Sequence, residues 1–143
     1  MTKVHDTLLG TPFWFVLSAR LLSLGILSQF LSAGVALFIG AWDWQIHLVI
    51  GGALPLPIII LCAGVFAVPR LRGFNWWAGL VFALYIVQFA LAAGTDSLPL
   101  AFHPFNGTLL VIVSLVLLAK LQRRLTKSST DLATSRARSV ARR

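Results

Sequence analysis

The chain has 143 residues, a formal net charge of +8, 58% hydrophobic residues, only 11% charged residues and a mean hydropathy of +0.88. A water-soluble domain this small could not hide so much apolar surface, so the composition excludes an ordinary soluble globule and makes the lipid bilayer the expected solvent and partner. The single cysteine, Cys62, excludes an internal disulfide, a CxxCH haem attachment and a cysteine-built zinc or iron–sulfur centre.

The first eleven residues, with Lys3 and His5, form a short polar N-terminus on the cytoplasmic side. Four apolar segments follow, at about 12–39, 46–68, 74–94 and 100–121. Each approaches or exceeds the ~20 residues that a helix rising ~1.5 Å per residue needs to cross a hydrocarbon layer of ~30 Å. The first is too long, and too interrupted by Arg20, for a cleaved signal peptide. Inside a membrane a helix satisfies its own backbone, so residues 12–122 are expected to form an all-α four-helix bundle. Pro55 and Pro57 predict a kink in the second span, and Pro104 suits the start of the fourth helix, with His103 at or beside its N-cap. A fourth helix that begins instead near Ser97 would have Pro104 kinking its first turns. Residues 123–143, rich in Ser, Thr and Arg, read as a basic, disordered tail.

Charge sets the orientation. Lys3, Arg20, Arg70, Arg72 and the C-terminal tail fall on one side, and the two opposite connections carry only Asp43 and Asp96. By the positive-inside rule both termini are cytoplasmic and both Asp-bearing loops are outside, in a multi-pass protein of the cell membrane. Of twelve Lys and Arg, eight lie between Lys120 and Arg143, which suits a cytoplasmic anchor touching anionic lipid and not a nucleic-acid surface. Trp14, Trp76 and Trp77 then form an inner interfacial belt, with Trp42 and Trp44 at the outer interface.

Two stretches echo each other. Gln29-Phe30 leads through Ala33-Gly34 and Asp43 to His47 and, four residues on, Gly51; Gln88-Phe89 leads through Ala93-Gly94 and Asp96 to His103 and Gly107. The chain therefore reads as one helical hairpin used twice. Both histidines sit near the outer ends of spans running the same way, and the two copies are related by a pseudo-two-fold axis along the membrane normal. Helical spacing places Ser18, Leu22, Gly25, Gln29, Ser32 and Ala36 on one stripe of the first span, and Val81, Tyr85, Gln88 and Ala92 on one of the third. His47 shares a face with Gly51, Leu54 and Ile58; His103 shares one with Gly107, Leu110 and Ser114, beside Asn106. Arg20 lies half a revolution from Gln29 and reaches toward the inner headgroups.

Strongly coordinating side chains within a span are functional candidates. Two neutral imidazoles at one depth on inward faces are what axial ligation of a haem requires, and Met1 is the sole methionine, so the form this chain could supply is a bis-His b-type haem. The candidate site is His47 and His103 as iron ligands, Gly51 and Gly107 making room, and Gln29, Gln88 and Asn106 hydrogen-bonding around them. The expected role is electron transfer or haem handling, with a redox partner or a second copy of the chain as possible associates. The competing reading has no cofactor: the histidines and glutamines fasten helix to helix in a structural or assembly subunit. Asp43 and Asp96 lack the fixed separation of an acid–base pair, and no HExxH or phosphate-cradling glycine loop is present.

Gln, Gly, a short outer loop and then a His in the second helix, repeated through the fourth, resembles one four-helix half of the haem A synthase family over about residues 13–121. The resemblance implies a bundle whose second and fourth helices give His47 and His103 to a haem near the outer surface, with Gln29 and Gln88 at the glutamines of the preceding helices. The family's catalytic half carries a glutamate just before the second-helix histidine and an arginine after it. This chain contains no glutamate and has Leu48 at the second position. The resemblance therefore implies ligation, with oxidative chemistry on haem as a further alternative. Small uncharacterised four-helix bacterial membrane families are similar as well.

Overall fold

The computed structural model describes residues 10–40, 44–93 and 97–142. All regular structure among them is helical: α1 Phe13–Val35 with a final π-helical turn Ala36–Gly40, α2 Trp44–Ala53, α3 Pro55–Ala67, a 3-10 turn Pro69–Phe74, α4 Asn75–Ala93 and α5 Ser97–Ala141. Four stretches are long and apolar enough to cross a membrane: Phe13–Ile39, Trp44–Ala67, Pro69–Ala93 and Ser97–Ala141. That is the composition of a multi-pass membrane protein. Trp42, Asp43, Asp96, Lys3 and His5 lie outside the described residues.

The chain hides its polar atoms locally before it packs. Ser18, Ser23 and Ser28 donate their hydroxyls to carbonyls one turn back, at 2.8, 3.1 and 2.9 Å. A hydroxyl spent on its own helix adds no unsatisfied donor to the hydrocarbon. Span one packs beside spans two and four, and span three beside the same two, so spans two and four face each other diagonally.

The tightest core is at the end marked by Pro69–Phe74. Phe15, Leu61, Val65, Leu71, Phe74, Leu117 and Leu121 are all buried there. Arg124 donates to the Arg70 carbonyl at 2.7 Å and sits over the Phe74 ring, and Lys120 sits over Trp77. The basic start of the C-terminal segment is thus held at the same end as the Arg70–Arg72 turn. Packing thins toward the other end, where α2 buries no residue and α4 buries only Ala78 and Val81, near its start. Large apolar side chains such as Phe38, Val49, Ile59, Phe66 and Trp76 stand exposed on the outside of the bundle, as lipid contact requires. Arg20 is exposed as well, away from the Gln29 stripe.

The fourth helix takes the second of the two starts open to it, and it extends past its apolar part. The fourth helix starts at Ser97, so His103 lies well inside it and Pro104 is an interior proline, not part of a cap. Pro99 causes no conflict, because a proline in the first turn loses only an amide that had no partner. At the other end α5 runs on to Ala141, where residues 123–143 read as disordered. Polarity excludes burial but not helix: after Pro104 the segment contains no proline, and Thr126, Ser128, Ser129, Thr130 and Thr134 return their hydroxyls to carbonyls four residues back.

The expected interruption of span two has a defined consequence. Pro55 cannot donate to the Gly51 carbonyl, and the helix breaks between α2 and α3 at Leu54. That oxygen instead accepts the Leu54 amide at 3.2 Å and the Tyr85 hydroxyl from α4 at 3.1 Å. Tyr85→Phe should therefore cost about 0.6 kcal/mol, the average for hydrogen bonds inside membrane bundles, and at most about 1.7 kcal/mol. In a Pro55→Ala background the restored amide competes with the Leu54 amide and the tyrosine for the same oxygen, and the penalty should shrink. A double-mutant cycle on unfolding in mixed micelles reads the difference, and equal penalties in both backgrounds would contradict the assignment.

Candidate functional site

The inward stripes converge at the loosely packed end. His47 and His103, from diagonal spans, approach with ring centroids 6.2 Å apart and planes inclined at 56°. Each ring is held by the span before it through the same atoms. His47 Nδ1 lies 3.2 Å from the Gln29 backbone carbonyl, and His103 Nδ1 lies 3.2 Å from the Gln88 backbone carbonyl. A carbonyl can only accept, so both Nδ1 atoms carry the proton, and both Nε2 atoms keep their lone pairs.

Beyond that shared hold the two rings differ. Ser32 Oγ stands 3.1 Å from His47 Nδ1 and donates its own proton to Gln29 O at 3.0 Å. The Trp44 ring meets His47 edge-on, with centroids 5.5 Å apart. Among the described residues nothing bonds His47 Nε2. On His103, Gln88 Nε2 donates to Nε2 at 2.9 Å. Asn106 fixes that carboxamide's orientation by donating to Gln88 Oε1 at 2.6 Å and to the Leu84 carbonyl at 2.9 Å. Gln29 instead turns its amide onto the His47 carbonyl, at 2.9 Å.

The glycines have a specific use. A Cβ on Gly51 would come within 3.2 Å of Gln29 Oε1, and one on Gly107 within 3.3 Å of Gln88 Nε2. Each His-xxx-Gly unit thus leaves a gap that the preceding glutamine fills. Beside the rings lies a cavity of about 240 Å³, walled by all four spans and apolar apart from His47, His103, Gln29, Gln88 and Tyr85. The structure brings together His47, His103, Gly51, Gly107, Gln29, Gln88 and Asn106. Ser32, Tyr85 and Trp44 join them and were not singled out from the sequence as site residues. Ser32 and Tyr85 share stripes with Gln29 and Gln88, which was the available signal. Cys62 stands apart, its thiol 3.7 Å from the Ala78 carbonyl.

The donor set narrows the chemistry. Among the described residues no group of three or more His, Cys, Asp or Glu could hold a metal ion. Structural zinc takes four protein ligands and catalytic zinc three, which this pair cannot supply. A porphyrin brings four nitrogens and needs only two axial ligands. With bonds as long as zinc–imidazole ones, about 2.0–2.1 Å, two imidazoles holding one metal from opposite sides would have ring centroids roughly 6 Å apart. The 6.2 Å separation is compatible with that spacing, and the donor set suits the group once Gln88 releases His103 Nε2.

No curated protein and no solved structure matches the chain, and no link to the haem A synthase family is shown. Residues 29–95, just under half of it and spanning Gln29, His47, Gly51, Tyr85 and Gln88, are similar to a family described as a family of unknown function (DUF6220).

Proposed function

We propose that this chain is a multi-pass protein of the cell membrane that holds one b-type haem between His47 and His103, near the outer leaflet, for electron transfer or haem handling. The observation that supports it most is the paired hold: two imidazoles 6.2 Å apart, each with Nδ1 against a glutamine carbonyl, so that Nε2 is the nitrogen a metal would take, at His103 in place of the Gln88 amide. A haem held this way would supply a one-electron iron couple. The residues of the chain fix the tautomers, set the spacing of the ligands and surround them with apolar side chains. The repeated Gln–His–Gly geometry favours a duplicated hairpin, and the clustering of Arg70, Arg72, Lys120 and Arg124 at one end favours cytoplasmic termini. The basic face of α5 beyond Lys120 would meet anionic lipid, and a redox partner or second copy would exchange electrons with the haem.

One observation favours a cofactor-free reading. The chain Asn106–Gln88–His103 is fully hydrogen-bonded as it stands and fastens spans three and four without any ligand. A reduced-minus-oxidised absorbance spectrum separates the two. The full chain purified from a haem-replete host should show sharp α and β bands of a low-spin bis-imidazole haem. A stable, folded and colourless protein would establish the fastener instead.

A further inference from the structure

The cavity is small for its proposed ligand. At about 240 Å³ it falls below the range of roughly 300–1,000 Å³ for sites that enclose small molecules, so a porphyrin plate must extend beyond its walls. The packing shows where. Spans one and two, three and four, and one and four are packed together, and α3 packs on α4 below the break. Above the break α2 packs along α1 and forms no packed seam with α4. The resulting slot is edged by Leu48 and Gly52 on α2 and by Phe89 and Ala92 on α4. All four line the cavity and are also exposed on the outside of the bundle, Leu48 at 69% and Phe89 at 67%. The Tyr85–Gly51 hydrogen bond crosses at its floor. No edge residue is charged or polar, and the slot faces the hydrocarbon beside it.

We infer that this slot is a lateral doorway: the site takes up haem already dissolved in the bilayer, edge first between α2 and α4, and the bound plate keeps one edge in lipid. This rests on the haem reading above. An apolar rim costs nothing to a lipid-dissolved porphyrin, whereas a soluble carrier would have to release its haem into the membrane first.

The test uses the full-length apoprotein in phosphatidylcholine vesicles. Haem is supplied either from donor vesicles of the same lipid or bound to serum albumin, and the growth of the low-spin bands is followed by stopped flow. Uptake from vesicles should be faster than from albumin by about tenfold. Gly52→Trp plugs the slot; a Cβ there meets nothing within 4 Å, so the helix tolerates the change. It should slow uptake from vesicles by about tenfold, with Gly79→Trp, on the outer surface far from the slot, loading at the wild-type rate. Ala92→Trp is a second plug should Gly52→Trp not fold by circular dichroism. A folded plug variant that loads at the wild-type rate overturns the doorway, as does equal uptake from albumin. A wild-type protein that never develops the bis-imidazole bands overturns the haem reading itself, a distinct result.

Discussion

Gly64→Leu should destabilise the bundle by about 2 kcal/mol, while Gly79→Leu leaves it unchanged or slightly more stable. Replacing a helix-interior glycine by itself favours the helix by about 0.5–1 kcal/mol, so the sign depends on what the new side chain meets. At Gly64 a Cβ alone would lie 2.8 Å from Trp14 Cη2 and 2.9 Å from Phe15 Cδ2. Trp14 is 41% exposed and can swing outward, but Phe15 is fully buried. Its ring stands 5.9 Å from that of Trp14 and 5.8 Å from that of Phe74, which leaves it nowhere to retreat. Overpacking of this kind costs about 1–3 kcal/mol for modest insertions, and a whole isobutyl group lies at the upper end. At Gly79 nothing stands within 4 Å, and the leucine enters lipid. Reversible unfolding in mixed micelles, followed by circular dichroism, measures both. Equal midpoints for the two variants would mean that spans one and two do not meet at Gly64.

That contact shows which parts of the fold were legible in the sequence. Span positions follow from hydropathy, and the inward stripes follow from periodicity. Ser18, Leu22, Ser32, Val81, Asn106, Leu110 and Ser114, each placed inward by spacing alone, are buried. His47 and His103 meet because their depth and faces were set by those same two signals. Contacts that require relative helix placement were not legible. Nothing in the spacing says that Gly51 offers a carbonyl to Tyr85, because the pairing depends on where Pro55 breaks the helix and which span stands opposite. The start of α5 at Ser97 was open for a related reason: a proline is compatible with either the first turn or a kinked interior, and only neighbouring spans decide between them. The helix beyond Gln122 was not legible because composition reports whether a segment can be buried, not whether it can be helical.

The two histidines should not be equivalent when removed one at a time. His103→Ala leaves His47, whose Nδ1 is held by Gln29 O and whose Nε2 is unpartnered among the described residues. His47→Ala leaves His103 with its Nε2 already accepting from Gln88, which Asn106 keeps in that orientation. Iron must break that hydrogen bond before it can take the lone pair. At about 0.6–1.7 kcal/mol for a bond in a membrane bundle, the remaining ligand is weakened roughly 3- to 20-fold. Both variants should lose the sharp low-spin bands, since neither retains two imidazoles. His103→Ala should hold a five-coordinate, high-spin haem about tenfold more tightly than His47→Ala in haem titrations. Adding Gln88→Leu to His47→Ala should close most of that gap, because it frees the His103 nitrogen without adding a ligand. Free imidazole should return the low-spin bands to His103→Ala by filling the vacated side. If His47→Ala proves the tighter binder, the Gln88 bond is not the obstacle assigned to it; if either variant keeps the wild-type spectrum, that histidine is no ligand.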